Sequence, residues 1–339
     1  MEFTISFDMR APDFGAPAKD LYAAALDQCA WADELGFDFV GIGEHHATDD
    51  GYLPSPLVFA SAVAARTRRI LLRPSVLLAP FYDPLKLAED LAVLQILSGG
   101  RLVVGIGAGY RPAEFEMFGK RQEDRKQLYV ELIQVLRQAW SGEWFEYRGR
   151  RVRVTPAPDP PPPIWLGGVH PAVARRAARI ADRFFPPQGE SWQVYRDECL
   201  HLGKEDPGPC MKLGPVYIHV ARDPEAAWRR MTPHIHHVVK SYAEWTMEAL
   251  GRPAGPFAEG ISLEAIGKSG AYQIVTPEQA VELADSLGPH AVFHLMPLLG
   301  GVDPAFAWEG LRLFEKEVWP RVQHLHERGE GRKRSEGDA

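Results

Sequence analysis

The sequence predicts an α/β fold, a single (β/α)8 TIM barrel with insertions that spans residues 1–326. Short apolar runs alternate with segments of helical periodicity, which is the pattern of parallel strands joined by helical crossovers. Eight such strand–helix units follow one another over about 325 residues. A proline-rich stretch at 156–163 is short and the same pattern continues after it, so we interpret it as a loop within one domain.

The first half of the chain supplies four strand–helix units. The first strand alternates apolar Phe3, Ile5 and Phe7 with polar residues, and the helix after it stops at Gly36, a typical C-terminal signal. A proline opens each of the next two helices, and Pro74-Ser75 interrupts the third strand. The predicted strands are 3–7, 39–43, 70–78 and 102–106, and the predicted helices are 21–35, 57–66, 84–97 and 124–140.

The second half adds a hairpin over 143–155, with its turn at Arg148-Gly149, before the period resumes. The segment 254–269 is predicted to be irregular, and the charged, glycine-rich tail at 327–339 is predicted to be disordered. The remaining predicted strands are 164–166, 182–185, 213–221 and 291–296, and the helices are 171–181, 191–202, 224–250 and 304–326.

Charge and composition argue against several classes of function. The net charge is -7 and no basic block occurs before the last dozen residues, so neither nucleic acid nor an anionic membrane is an expected partner. No apolar run reaches the ~20 residues needed to span a bilayer, and the N-terminal residues lack a signal-peptide pattern. Cys29, Cys199 and Cys210 lack metal-ligand spacing and indicate reduced thiols. We therefore expect a cytoplasmic protein.

Three ionisable residues, Glu44, His45 and His46, follow the second predicted strand directly and precede a loop with glycine and proline. In parallel α/β folds, ligands bind at the carboxyl ends of the strands. One such residue would be interpreted as a solvated loop position, but three in a row at a strand end indicate a functional site.

Two glycine-rich strand ends are candidate ligand loops. The run G-I-G-A-G at 105–109 lacks the spacing of a dinucleotide fingerprint. It is either a tight strand end made of small residues or a loop whose backbone approaches a flat ring or a phosphate. The run G-G at 167–168 ends the fifth strand, and a proline-initiated helix follows, which places backbone amides at a generic anion site.

Four stretches of the sequence point to a family when they are taken together. They are E-L-G-F-D-F-V-G-I-G-E-H-H at 34–46, A-P-F-Y-D-P-L-K-L-A-E-D at 79–90, L-S-G-G-R-L-V-V-G-I-G-A-G-Y-R-P-A-E-F-E-M-F-G at 97–119 and P-P-I-W-L-G-G-V-H-P-A at 162–172. In this order they resemble the bacterial luciferase-like family of flavin-dependent monooxygenases and oxidoreductases. The resemblance extends from about residue 3 to residue 185, and more loosely to the closing helix.

The resemblance implies roles for particular residues. His45 matches the catalytic histidine near the reactive edge of the flavin, where it would stabilise an oxygen adduct or act as an acid or base. Glu44 would orient His45 or face the ring system. Ser75 and Val76 match a position that often carries a non-proline cis peptide bond under the central ring. The matching cofactor-binding positions are Gly107, Ala108, Gly109 and Tyr110 beside the ring and ribityl chain, and Arg125, Gly167, Gly168, Val169 and His170 at the phosphate.

One departure from the family pattern concerns the cofactor. In the luciferases themselves, an arginine that grips the FMN phosphate stands where this chain has Ala108. Either FMN is held by Arg125 and the loop at 167–170, or the cofactor is the 5-deazaflavin coenzyme of another branch of the superfamily, where a Ser-Val pair also occurs at the third strand. A deazaflavin forms no oxygen adduct, so enzymes of that branch transfer hydride. The sequence leaves this choice open.

The predicted function is that of a monooxygenase, which uses reduced FMN and O2 to oxygenate a small organic substrate. The resemblance implies that a flavin reductase supplies the reduced flavin, or that NAD(P)H reduces it in place. It also suggests a homodimer that packs through helices of the first half. The substrate cannot be inferred from the fold and the cofactor site.

Two other classes of protein were weighed. A metal-dependent barrel hydrolase would need an H-x-H motif at the first strand, where this chain has F-D-M at 7–9. His234, His236 and His237 lack the spacing of a zinc helix motif, so no metal site is predicted. A non-catalytic flavin-binding subunit is the other alternative, and the presence of both Glu44 and His45 speaks against it.

Overall fold

The computed structural model describes residues 1–186, 189–254 and 262–326. The predicted tail at 327–339 lies outside the described residues. The strands of the described part are, in chain order, β1 (Glu2–Phe7), β2 (Phe39–Ile42), β3 (Leu71–Pro74), β4 (Leu77–Leu78), β5 (Val104–Gly107), β6 (Phe145–Tyr147), β7 (Arg150–Val152), β8 (Ile164–Gly167), β9 (Arg183–Phe185), β10 (Lys212–Leu213), β11 (Tyr217–Val220), β12 (Tyr272–Val275) and β13 (Ala291–Leu295).

The helices occupy the intervals between these strands. In chain order they are α1 (Ala18–Leu35), α2 (Pro56–Arg66), α3 (Pro84–Leu97), α4 (Pro112–Met117), α5 (Arg125–Ala139), α6 (Pro171–Ile180), α7 (Trp192–His201), α8 (Pro224–Leu250), α9 (Leu263–Lys268), α10 (Pro277–Leu287), α11 (Pro304–Leu313) and α12 (Trp319–Val322). Proline lies in the first turn of several of them, where its missing N–H costs no intrahelical hydrogen bond.

Apart from β6 and β7, the described strands pair in parallel, as expected for helical crossovers. One sheet has the order β10-β13-β1-β2-β3 and a second has the order β4-β5-β8-β9. The predicted third strand is split at Ser75–Val76 into β3 and β4, which belong to different sheets, and β10 and β11 share the predicted seventh strand. With each of these pairs counted once, all eight predicted strands are present among the described residues, and β12 and the short strands β6 and β7 are additional. The fold class is confirmed.

The predicted hairpin is confirmed, because β6 and β7 are antiparallel with Phe145 opposite Val152. The prediction that 254–269 is irregular was wrong for α9, where the side chain of Ser262 caps the backbone N–H of Ala265. The prediction also missed β12, which pairs in parallel with β11, and α10, which begins with a capping box between Thr276 and Gln279. The four-residue sequence T-P-E-Q at 276–279 is a helix-start signal that was available in the sequence.

The closing helix predicted at 304–326 is not continuous. A π-helical turn at Phe314–Val318 separates α11 from α12, and a short 3-10 turn follows at Gln323–Leu325. Pro320 lies in the first turn of α12 and has no backbone N–H to donate to the turn before it. The regular hydrogen-bond ladder therefore changes at this position.

The core lies between the strands and the surrounding helices. Phe3, Ile5 and Phe7 on one face of β1 are fully buried. The alternate residues of β1 include Glu2 and Thr4, which share a hydrogen bond, and Arg73 of β3 donates to the Glu2 carboxylate at 3.2 Å. Parallel strands present all their carboxyl ends at one edge, and that edge carries the candidate site. Within the described ranges, no helix is both long and apolar enough to cross a membrane.

Candidate functional site

The segment after β2 enters the site through Gly43, Glu44, His45 and His46. A Cβ atom at Gly43 would lie 2.4 Å from the Tyr52 hydroxyl oxygen, so only glycine fits this close approach. The three ionisable side chains that follow are all buried. Buried ionisable groups are costly unless they are paired, so their partners define the site.

Glu44 connects the end of β2 to the segment around β4. Its carboxylate accepts hydrogen bonds from the Leu78 backbone N–H at 3.0 Å and the Tyr82 hydroxyl at 2.9 Å, and it lies 2.8 Å from Nε2 of His46. Burial raises the pKa of Glu44, and these hydrogen bonds oppose the rise. Glu44 therefore contacts His46. The expectation that Glu44 orients His45 was wrong, because the partner of His45 is a different carboxylate.

His45 is oriented by Glu114, a fully buried residue in the first turn of α4. Nδ1 of His45 lies 2.7 Å from Oε1 of Glu114, and the same oxygen accepts the backbone N–H of His46 at 3.0 Å. A carboxylate on Nδ1 favours the tautomer with its proton there, which leaves Nε2 as the basic nitrogen. Burial lowers the pKa of His45 from 6.5, Glu114 opposes this shift, and the charges of Arg111 and Arg10 add to it.

Aromatic rings surround the His45 imidazole. Tyr52 and Trp245 have ring centroids 4.9 and 4.8 Å from it, and Tyr110 and Tyr242 lie at 5.8 and 6.0 Å. Tyr242 and Trp245 come from α8, so this helix covers the histidine from outside the barrel. Such a wall is typical of a small-molecule site from which water is excluded.

Two arginines complete the surroundings of His45. Arg10 is fully buried and its Nη1 lies 2.6 Å from Oδ2 of Asp50. Nη1 of Arg111 donates to the backbone carbonyl of His46 at 2.6 Å and lies 3.6 Å from Oε1 of Glu114. Burial raises the pKa of the neighbouring Asp8 to about 6, against the opposing charge of Arg10.

The histidines of α8 have protein partners. Nδ1 of His234 lies 2.8 Å from the Gly300 carbonyl oxygen, and Nε2 of His237 lies 2.7 Å from Oδ2 of Asp50. Among the described residues, no group of three or more His, Cys, Asp or Glu side chains has the geometry to hold a metal ion. His234 and His237 connect α8 to the barrel.

The positions predicted for the flavin ring converge on Val76. The Ser75–Val76 peptide bond is cis, as the resemblance implies. A Cβ atom at Gly107 would lie 2.4 Å from Cγ2 of Val76, and one at Gly167 would lie 3.1 Å from Cγ1. Because residues 107 and 167 are glycines, the ends of β4, β5 and β8 approach each other closely here. We call the surface that they form the floor of the site, and a surface of this kind fits a flat ring. Ala108, Gly109 and Tyr110 continue this edge and are partly buried.

The predicted phosphate residues lie on the starts of two helices. Val169 and His170 are exposed immediately before α6, and Gly167 and Gly168 are partly buried. Arg125 is exposed at the start of α5, one turn before Tyr129. Tyr129 contacts Arg176 of α6, so the two helices are neighbours here. The N-terminus of α6 carries the positive end of the helix dipole, which favours a negatively charged group.

Several residues that surround His45 were not assigned to the site from the sequence. Glu114 belongs to a quoted motif, and an acidic residue in the first turn of a helix directly after a glycine-rich strand end was a usable signal. For the others, Arg10, Arg111, Tyr52, Tyr242 and Trp245, no local pattern separates a site role from ordinary packing. Only the placement of α8 brings them together.

The fold and the site define a class of α/β-barrel enzymes with a buried acid–base pair and a flat, glycine-lined floor at the carboxyl ends of the strands. The sequence profile of the luciferase-like monooxygenase family matches residues 1–282. The chain belongs to this family of oxidoreductases.

Relatives of both cofactor types are found. An F420-dependent glucose-6-phosphate dehydrogenase of Kribbella flavida is 28% identical over 310 residues, which cover 83% of this chain and 88% of that protein. The oxygenase component of a flavin-dependent trigonelline monooxygenase from Acinetobacter baylyi is 31% identical, over 61% of this chain and 56% of that protein. Other alignments cover only 52% and 62% of the curated relatives.

Solved structures share the fold over almost the whole chain. The monooxygenase RslO1 from Streptomyces bottropensis is 26% identical and superposes with a TM-score of 0.73, which covers 94% of this chain and 99% of that one. The barrel prediction and the family prediction are thereby confirmed.

Proposed function

We propose that this chain is the oxygenase of a flavin-dependent monooxygenase, which uses reduced FMN and O2 to oxygenate a small organic substrate. The observation that carries the proposal is the His45–Glu114 pair, 2.7 Å apart and enclosed by aromatic rings at the carboxyl ends of the strands. The reaction of a reduced flavin with O2 requires a residue that can transfer protons. It also requires surroundings that exclude water, which the aromatic rings supply here.

We assign to the cofactor-binding residues the roles that the family resemblance implies. Ser75, Val76, Gly107, Gly109 and Tyr110 would hold the ring, with Ala108 in the same loop. Arg125 and the backbone at 167–170 would hold the phosphate, with Arg176 as a further cation. Reduced FMN supplies the electrons for O2 activation when it is bound.

His45 would move a proton at Nε2, since Glu114 keeps the proton on Nδ1. Because burial lowers the pKa of His45 from 6.5, the neutral imidazole predominates at neutral pH and can accept a proton from the substrate or cofactor. Glu44 would fix His46 and the backbone of Leu78 beside the ring floor.

We propose a separate flavin reductase as the partner, with NAD(P)H as the source of electrons. The support is the trigonelline relative, which is named as an oxygenase component. The cytoplasmic location and the homodimer are proposals of the same kind, and size-exclusion chromatography with light scattering tests the dimer.

A second candidate is hydride transfer with the 5-deazaflavin coenzyme. The specific support is Ala108, which leaves that position without a phosphate-binding cation, together with the dehydrogenase relative that matches 83% of this chain. In that case His45 would take the proton that a hydride donor loses.

The test of oxygenation uses reduced FMN, 18O2 and a panel of small organic compounds, with mass spectrometry of the products and a peroxide assay. We expect one 18O atom in a product, and we expect His45→Ala to lower its formation by at least about 100-fold. The matched control is His201→Ala, because His201 is exposed on α7. If every compound gave only hydrogen peroxide, the proposed oxygenation would be refuted. If His45→Ala kept full turnover, the assignment of His45 as a catalytic residue would be wrong.

A further inference from the structure

Trp245 occupies an unusual place in front of His45. The centroid of its indole lies 4.7 Å from Cζ of Arg10 and 4.1 Å from Cζ of Arg111, and both arginines are buried. The same ring lies 4.8 Å from the imidazole of His45. A flat ring in contact with two guanidinium groups is a favourable cation–π arrangement, and here the same ring also contacts the histidine.

The part of α8 that carries Trp245 is only lightly attached. No side chain in the last seven residues of the helix, 244–250, is buried, and Met247 and Leu250 are 48% and 55% exposed. The preceding turns are held more firmly, through Ile235, Val238 and Val239 in the core and the contact of His237 with Asp50. A helix end with few buried apolar contacts opens at a lower free-energy cost than the rest of the fold.

The charges around the indole are already balanced. Arg10 is 2.6 Å from the Asp50 carboxylate, and Arg111 is 3.6 Å from Oε1 of Glu114. The place that the indole occupies, called the slot here, therefore adjoins two guanidinium groups without a surplus positive charge. A flat aromatic ring matches it better than an anionic or a flexible aliphatic group.

We propose that the indole of Trp245 takes the place of an aromatic or heteroaromatic substrate ring, and that such a substrate binds by displacing the last two turns of α8. As a statement of substrate class, this rests on the proposed function. The ring of the substrate would then contact Arg10, Arg111 and His45.

The test follows Trp245 directly by 19F NMR in protein labelled with 5-fluorotryptophan. The Trp245 resonance is assigned with Trp245→Phe, and the protein is titrated with 1-indanone and with hydrindan-1-one, its saturated analogue. We expect indanone to shift the Trp245 resonance towards that of the free amino acid and hydrindanone to leave it in place. Trp165 is an internal control, because it also contacts two arginines, Arg73 and Arg183, at 5.3 and 4.9 Å, but belongs to β8.

A second variant measures the competition between indole and ligand. If Trp245 occupies the slot, Trp245→Ala should bind indanone at least about tenfold more tightly than the natural protein does, because the internal competitor is gone. Trp144→Ala is the control, since Trp144 is exposed and stacks on Arg151 at 4.8 Å away from His45. Circular dichroism confirms that the variants fold, and if Trp245→Ala does not fold, the NMR titration of the natural protein decides alone.

Either of two results would overturn the proposal: a Trp245 resonance that indanone does not move, or one that indanone and hydrindanone move equally. Neither measurement uses a flavin or turnover. If the monooxygenase assignment proved wrong, the NMR result would therefore still be valid. If Trp245 did not respond to indanone, the flavin assignment would still be decided by its own experiments.

Discussion

The imidazole of His45 takes its orientation from Glu114, which lies 69 residues further along the chain. The sequence predicted His45, because three ionisable residues in a row at a strand end need an explanation. It did not predict which carboxylate would orient the histidine, and it offered the adjacent Glu44. Glu44 instead contacts His46, two residues further along, and Glu114 comes from α4, so proximity in sequence was a poor guide to the hydrogen-bond partner.

Glu114→Gln tests this pair at the residue scale. The substitution keeps the size of the side chain but removes the negative charge that holds the Nδ1 proton, so we expect kcat to fall by about 10–100-fold with little change in KM. We also expect the pKa of His45 to fall further below 6.5, because Glu114 is the group that raises it. NMR titration of the histidine measures this pKa.

Glu116→Gln is the matched control, because Glu116 is exposed in the same short helix. The assignment of Glu114 as a positioning residue is contradicted if Glu114→Gln leaves both kcat and the pKa of His45 as they are in the natural protein.

At the scale of elements, the break in the third strand and the bounds of α8 were predicted correctly, whereas the contact of α8 with His45 was not predicted. The interruption at Pro74-Ser75 appears as two strands, β3 and β4, in different sheets. The helix predicted over 224–250 has the observed bounds. Periodicity shows that a helix exists and which face is apolar, but it does not show where a long insertion packs. The contact of Trp245 with His45 therefore came only from the structure.

Gly107→Ala tests the close packing of β5 on the Ser75–Val76 segment. The added methyl group would meet Cγ2 of Val76 at 2.4 Å, so we expect the free energy of unfolding to fall by about 1–3 kcal/mol and cofactor affinity to fall with it. Removing the opposing methyl groups with Val76→Ala in the same chain should restore part of the stability. Urea unfolding measures each variant.

Gly267→Ala is the control for this series, because no atom lies within 4 Å of an added Cβ in that exposed position of α9. It should leave stability unchanged or raise it slightly. Equal losses in Gly107→Ala and in the double variant would show that Val76 is not the neighbour that limits this site.

At the scale of the whole molecule, the barrel could be predicted because the alternation of strand and helix repeats over the whole chain. The strand and helix that were not predicted, β12 and α10, lie between the seventh and eighth predicted strands. They follow α8 and α9 there, and they add a unit to the eight that the sequence indicates. The breaks within the last predicted helix depend on Pro320 and on local packing, which a periodic pattern does not record.

The stability of the whole protein should depend on pH through His219. This ring is buried against Phe306, and burial lowers its pKa from 6.5 to about 4. The unfolded chain therefore takes up the proton first as the pH falls, so the contribution of neutral His219 is complete above 6.5 and is lost towards 4. Between pH 7 and pH 4.5, the natural protein should lose about 2–3 kcal/mol more unfolding free energy than His219→Gln.

Urea unfolding at the two pH values gives this difference, with His201→Gln as an exposed control. The pKa of His294 is lowered in the same way, but His294 is present in both proteins, so only the difference between the two proteins reports on His219. Parallel losses in His219→Gln and the natural protein would contradict the assignment.

The central claim is that the floor between β4, β5 and β8 binds FMN despite Ala108. Its most direct test is a parallel fluorescence titration of the purified apoprotein with FMN and with the 5-deazaflavin coenzyme, repeated with Arg125→Ala and Arg176→Ala. We predict that FMN binds at least about tenfold more tightly than the deazaflavin and that each arginine variant weakens FMN binding. Tight binding of the deazaflavin with little or no binding of FMN would contradict the claim and make the protein a hydride-transfer enzyme.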